Sequence, residues 1–106
     1  MVEHIVLIKL LPNVTKAQKE ELIRRTLQLK DIIPGIIEIQ QGINFSNRNK
    51  GYDIGLTVRF EDRTSLENYG PHPAHQEIFA YLKEIGLEDI IIVDFDINTF
   101  SKGCTQ

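Results

Sequence analysis

The sequence predicts an α+β fold of order β-α-β-β-α-β, a four-stranded antiparallel sheet with its helices on one face. Three observations predict it. Strand-like apolar patterning marks both ends of the 106-residue chain and two adjacent stretches in its middle. Helical spacing of apolar residues fills the two intervals between. Proline, glycine and asparagine punctuate the junctions.

The elements follow in order. From Val2 to Leu11 only Glu3, His4 and Lys9 interrupt an apolar run, which suits a strand buried on both faces. Pro12 and Asn13 break it. Thr15 and Gln18 have capping-box spacing and open a helix that is expected to reach about Ile33. Its apolar residues Leu22, Ile23, Leu29, Ile32 and Ile33 lie three, four or seven apart. Pro34-Gly35 ends it. Ile37, Ile39, Gln41, Ile43 and Phe45 then alternate as one strand face, and Gly42 among them suggests a bulge. The loop SNRNKG leads to a second strand with Tyr52, Ile54, Leu56, Val58 and Phe60 on one side, completing a hairpin. Asp62 or Thr64 starts a short helix that reaches about Tyr69, and another helix runs from about Pro73 to Leu82 or Ile85. The strand DIIIVDFDINTF closes the chain. This is a ferredoxin-like order, expected as a single domain over 1–100 with a polar tail over 101–106.

Helices on one side leave the other side of the sheet bare. Yet Ile91, Val93, Phe95 and Ile97 alternate with Ile90, Ile92, Asp94 and Asp96, so the last strand is apolar on both faces over much of its length. A second copy of the same sheet is the economical cover. The expectation is a homodimer with the two sheets face to face, a dimeric α/β barrel.

Charge and composition narrow the function. A net charge of −3 supplies no basic footprint, so nucleic acid is not an expected partner. No apolar run approaches the roughly 20 residues that span a bilayer. Glu3 and His4 make the N-terminus read as a strand rather than a signal peptide. The single cysteine, Cys104, cannot form an internal disulfide and has no activating neighbour in sequence. A cytoplasmic location is expected.

Chemistry concentrates in the run YGPHPAH, residues 69–75. Pro73 holds His72 extended and suits the first helical position, which makes His72 the N-cap and puts His75 in the first turn. Tyr69 and His75 flank the corner, and both are expected to point beneath it toward the sheet. His4 and Asp94 are the polar residues on otherwise apolar strand faces. A carboxylate there costs several kcal/mol unless paired, and His4 and His75 are its candidate partners. Two readings stand side by side: a proton-transfer site, or a capped corner with a structural Asp–His pair. A zinc site of His4, His72, His75 and Asp94 is disfavoured by the His-Pro-x-His spacing. Flavin, nicotinamide and nucleotide binding lack a glycine-rich phosphate loop, so no cofactor is expected.

HIVLIKL, the IPGI turn, GYDIGLTVRFED, the Tyr-x-x-His-Pro-x-His run and the late VDF together resemble the stress-responsive α/β-barrel (Dabb) domain family, from about Val2 to Phe100. Members are ferredoxin-like chains that dimerise through their sheets. They include a plant polyketide cyclase that performs an aldol condensation without a cofactor. By that resemblance His75 is the general base, oriented by Asp94. Tyr69 hydrogen-bonds the substrate carbonyl, and His4 is the strand histidine of the pocket. The ligand implied is a small apolar or phenolic carbonyl compound. Ile54 stands where the cyclase has a further pocket histidine, so a more apolar and smaller cavity is expected here. Many members are stress-associated proteins without a defined reaction, and a non-catalytic dimeric stress or small-ligand-binding protein is the alternative. The resemblance also implies a cation held by the backbone carbonyls of Lys30, Ile33 and Ile36.

Overall fold

A computed structural model describes residues 1–97. Its strands are β1 (Val2–Leu10), β2 (Ile36–Ile43), β3 (Tyr52–Phe60) and β4 (Leu87–Asp96). Its α-helices are α1 (Lys16–Leu27), α2 (Arg63–Tyr69) and α3 (Pro73–Ile85). The sheet order is β2-β3-β1-β4, every neighbouring pair antiparallel, which is the ferredoxin-like arrangement. The expected end of the last strand, 98–100, and Cys104 lie outside the described residues.

Alternation along β1 and β3 sorts the side chains. Val2, His4, Val6, Ile8 and Leu10 are buried, as are Ile54, Leu56, Val58 and Phe60 directly across from them. Leu22 and Leu29 from the α1 region and Leu82 and Ile85 from α3 close over this face. The opposite face stays open. Ile5 pairs with Val93 and Leu7 with Ile91 on that side, and Leu7, Ile91, Val93 and Phe95 keep 37–48% of their surface exposed.

Three local expectations need correction. The helix from Thr15 does not run as one piece to Ile33. It ends at Leu27 and continues as a 3₁₀ turn over Gln28–Asp31. Pro34 disfavours the α conformation at Ile33, the residue before it. The tightened turn brings Leu29 and Ile33 into the core, at 1% and 2% exposure, and turns Ile32 outward. Secondly, the β2 bulge lies at Ile36–Glu38 and not at Gly42, which pairs in register with Gly55. The extra residue, Ile37, lies two residues after Gly35, whose φ is +91°. Thirdly, the bulge buries Ile36 with Ile39 and directs Ile37 outward, while Phe45 is wholly exposed beyond the strand end.

The caps are as expected. Thr15 Oγ1 accepts from the Gln18 amide at 3.1 Å, and Gln18 Oε1 accepts from the Thr15 amide at 2.9 Å. Asp62 caps α2. His72 caps α3, its Nδ1 accepting from the Ala74 amide at 3.0 Å.

Candidate functional site

Gly70 and Pro71 separate α2 from α3, so the last residue of one helix and the first turn of the next meet over the sheet. Tyr69 is 3% exposed. Its ring lies 4.4 Å from that of His75, 5.0 Å from Phe60 and 5.8 Å from His4, centroid to centroid. The corner, β1 and β3 thus contribute to one aromatic cluster. Edge-to-face contacts of this kind add about 0.5–1.5 kcal/mol each beyond burial.

His75 Nδ1 is 3.0 Å from the Gly70 carbonyl oxygen. A carbonyl only accepts, so Nδ1 carries the proton and the neutral ring keeps its free lone pair on Nε2. Burial pushes the His75 pKa below the usual histidine range, with the Gly70 hydrogen bond opposing and His4 and His72 adding in the same direction as burial. His75 is therefore neutral at neutral pH, an unprotonated base. Burial pushes Tyr69 the other way, up to about 12, which keeps its phenol a donor.

Asp94 does not orient His75. It accepts from His4 Nδ1 at 2.5 Å, because residues 4 and 94 are direct cross-strand partners on β1 and β4. Strand register decides this, since His75 sits on the helical layer above and its Nδ1 is taken by Gly70. The His4 side chain is 10% exposed and that of Asp94 is 42% exposed, so the pair spans from the interior to the rim.

His4, Tyr69 and His75 line one cavity of about 130 Å³ between sheet and helices. Val6, Ile8, Leu56, Ile78, Phe79 and Leu82 supply much of its apolar wall, with Gln41 and Thr26 as further polar members. Asp94 is not among the lining residues. Ile54 is fully buried beside Ile8 and also stands outside the lining. Gln41 was legible in the sequence only as a polar residue at an inward β2 position; nothing in it signalled a cavity. Lys30 lies in the 3₁₀ turn, Ile33 in the core and Ile36 at the start of β2.

The stress responsive A/B barrel domain family, Dabb, matches residues 2–97. The chain belongs to this family. Among Dabb relatives, olivetolic acid cyclase of Cannabis sativa is 34% identical over 76 residues, covering 70% of this chain and 75% of the cyclase. An Arabidopsis thaliana crystal structure superposes with a TM-score of 0.82 at 25% identity, covering 93% of this chain and 97% of the other. A protein from Bacteroides fragilis, described as dimeric with a ferredoxin-like fold, superposes with a TM-score of 0.75 at 27% identity, over 91% and 95% of the two chains. Among the described residues of this Dabb chain, no helix is long and apolar enough to cross a membrane.

Proposed function

We propose that this protein is a cofactor-independent enzyme that moves a proton at a carbon next to a carbonyl, as an aldol-type cyclase or related lyase does. The observation that carries the reading is the His75 tautomer: a neutral imidazole whose Nε2 lone pair is free, on a residue that lines an apolar cavity. Similarity to olivetolic acid cyclase supports the same class. In this reading His75 Nε2 takes the proton as the C–H bond breaks. The electron pair passes into the enolate, and the Tyr69 hydroxyl donates to the enolate oxygen. The pair then attacks an electrophilic carbon, or recovers a proton from water. His4 frames the cavity, and Asp94 holds His4 in place rather than acting on the base.

The working unit in this reading is a homodimer, its sheets face to face, in the cytoplasm. The exposed apolar row of Leu7, Ile91, Val93 and Phe95 supports it, as does the dimeric Bacteroides fragilis relative. The competing reading is a non-catalytic dimeric stress or small-ligand-binding protein. It is favoured by the His4–Asp94 pair and the His72 cap, both of which serve the fold.

Deuterium incorporation at the acetophenone methyl group in D₂O, followed by NMR, separates the two. Catalysed exchange that falls about 100-fold or more in His75→Ala supports proton transfer. Exchange no faster than in buffer, or unchanged in a folded His75→Ala, supports the binding protein.

A further inference from the structure

The cavity contains a polar group that the proton-transfer reading does not use. Gln41 faces inward from β2, level with Leu56 and Val6 across the sheet. Its Oε1 is buried and has no hydrogen-bond partner, alone in this respect among the side-chain polar atoms of the described residues. Native proteins seldom leave such an atom unpaired, because its lost hydration is not replaced. Thr26, on α1, lines the same cavity. Its hydroxyl donates to the Leu22 carbonyl at 2.7 Å, so only its acceptor lone pairs remain to offer.

Gln41 is well separated from the His4 end of the cavity. β2 and β1 are two strand spacings apart, about 9.6 Å, and Gln41 is one two-residue step along from the His4 row. The Cα atoms of Gln41 and His4 are therefore about 12 Å apart. Apolar side chains occupy the wall between these polar ends, and at about 130 Å³ the cavity is close in size to one of about 150 Å³ that takes up a benzene ring.

We infer that Gln41 is a specificity-determining residue that recognises a hydroxyl group at the far end of a single-ring carbonyl ligand. A hydroxyl has one proton to give, and donating it to Gln41 Oε1 pairs the orphaned acceptor. Thr26, which keeps only acceptor lone pairs, adds polarity at that end of the cavity without a second hydrogen bond. The inference rests on the reading of the cavity as the carbonyl site. It adds the residue that reads the hydroxyl and the orientation of the ligand, with its carbonyl toward Tyr69 and His75 and its hydroxyl toward β2.

Calorimetric titration of acetophenone, 3′-hydroxyacetophenone and 4′-hydroxyacetophenone into the wild-type protein and into Gln41→Met tests it. Wild type is expected to bind at least one hydroxylated ketone about five- to tenfold more tightly than acetophenone, the worth of about one hydrogen bond. Gln41→Met should lose that preference, binding the hydroxylated ketones no more tightly than acetophenone. Its melting midpoint should equal or exceed the wild-type value, because an unpaired buried group has been removed. Wild type binding all three ketones equally, or a Gln41→Met protein that retains the preference, overturns the role of Gln41 and leaves the carbonyl site standing. A Gln41→Met midpoint far below wild type overturns it as well, since Gln41 would then be held by the fold. No binding of any ketone to wild type overturns the carbonyl site itself and this inference with it.

Discussion

The chemistry of the corner turns on which nitrogen of His75 holds a proton. The Gly70 carbonyl makes that Nδ1, without help from a carboxylate. Asp94→Asn should therefore leave the His75 tautomer unchanged in long-range ¹H–¹⁵N spectra while altering that of His4; a tautomer change at His75 would restore Asp94 as its orienter. The depressed pKa of His75 sets two further expectations. Exchange with small ketones should rise with pH and level off, with a midpoint below the ordinary histidine value of 6.5. The same shift acts on stability. The unfolded chain takes up a proton near 6.5 and the folded chain resists it, so stability falls as pH drops through that value. The difference in melting midpoint between wild type and His75→Ala should shrink between about pH 8 and pH 5, because the variant lacks this group. A difference that widens on acidification would mean that the folded protein favours the protonated ring.

At the level of elements, the site depends on where helices start and strands kink. Thr15 and Gln18 cap α1 reciprocally. Thr15→Ala should cost about 1 kcal/mol in urea unfolding with little change in slope. Gly35 is a stricter position: its φ is +91°, and a Cβ there would overlap the Ser65 hydroxyl. Gly35→Ala should destabilise by about 1–3 kcal/mol, through strain and displacement of α2, which ends at Tyr69. A neutral effect of Gly35→Ala on the unfolding midpoint would mean that the turn relaxes freely. His72 shows how one motif divides its labour. Its side chain serves the helix N-terminus, while His75, one turn on, faces the cavity.

At the level of the whole molecule, the sheet has a covered face and an open one. On the open face Gly42 and Gly55 lie side by side, and a Cβ built on either meets nothing within 4 Å. They leave a shallow depression bordered by Ile5, Leu7 and Thr57. Beside it stands the exposed row of Leu7, Ile91, Val93 and Phe95. A charge in the middle of such an interface would have to be desolvated on association, at a cost of several kcal/mol. Val93→Lys should therefore convert a dimer to monomer in sedimentation velocity while keeping the circular dichroism of a folded sheet. A monomeric wild type would remove the homodimer from the proposal.

What the sequence by itself determined was local. Strand and helix order, the Thr15 and His72 caps, the turn at Pro34-Gly35 and the unmatched apolar face all follow from patterns a few residues long, set by backbone geometry and side-chain period. The family was legible too, because the YGPHPAH corner combines proline constraints with a histidine pair. What only the tertiary structure decided was partnership across the chain. Asp94 met His4 and not His75 because register aligned residues that are distant in sequence. The β2 bulge lies at Ile36–Glu38, beside the Gly35 turn, and not at Gly42, which stays in register with Gly55. Gln41 became a candidate for recognition only once its neighbours left its oxygen buried and unpaired. A cavity is empty volume left between packed elements, and such volume depends on how distant side chains fail to fill space, which no short stretch of sequence encodes.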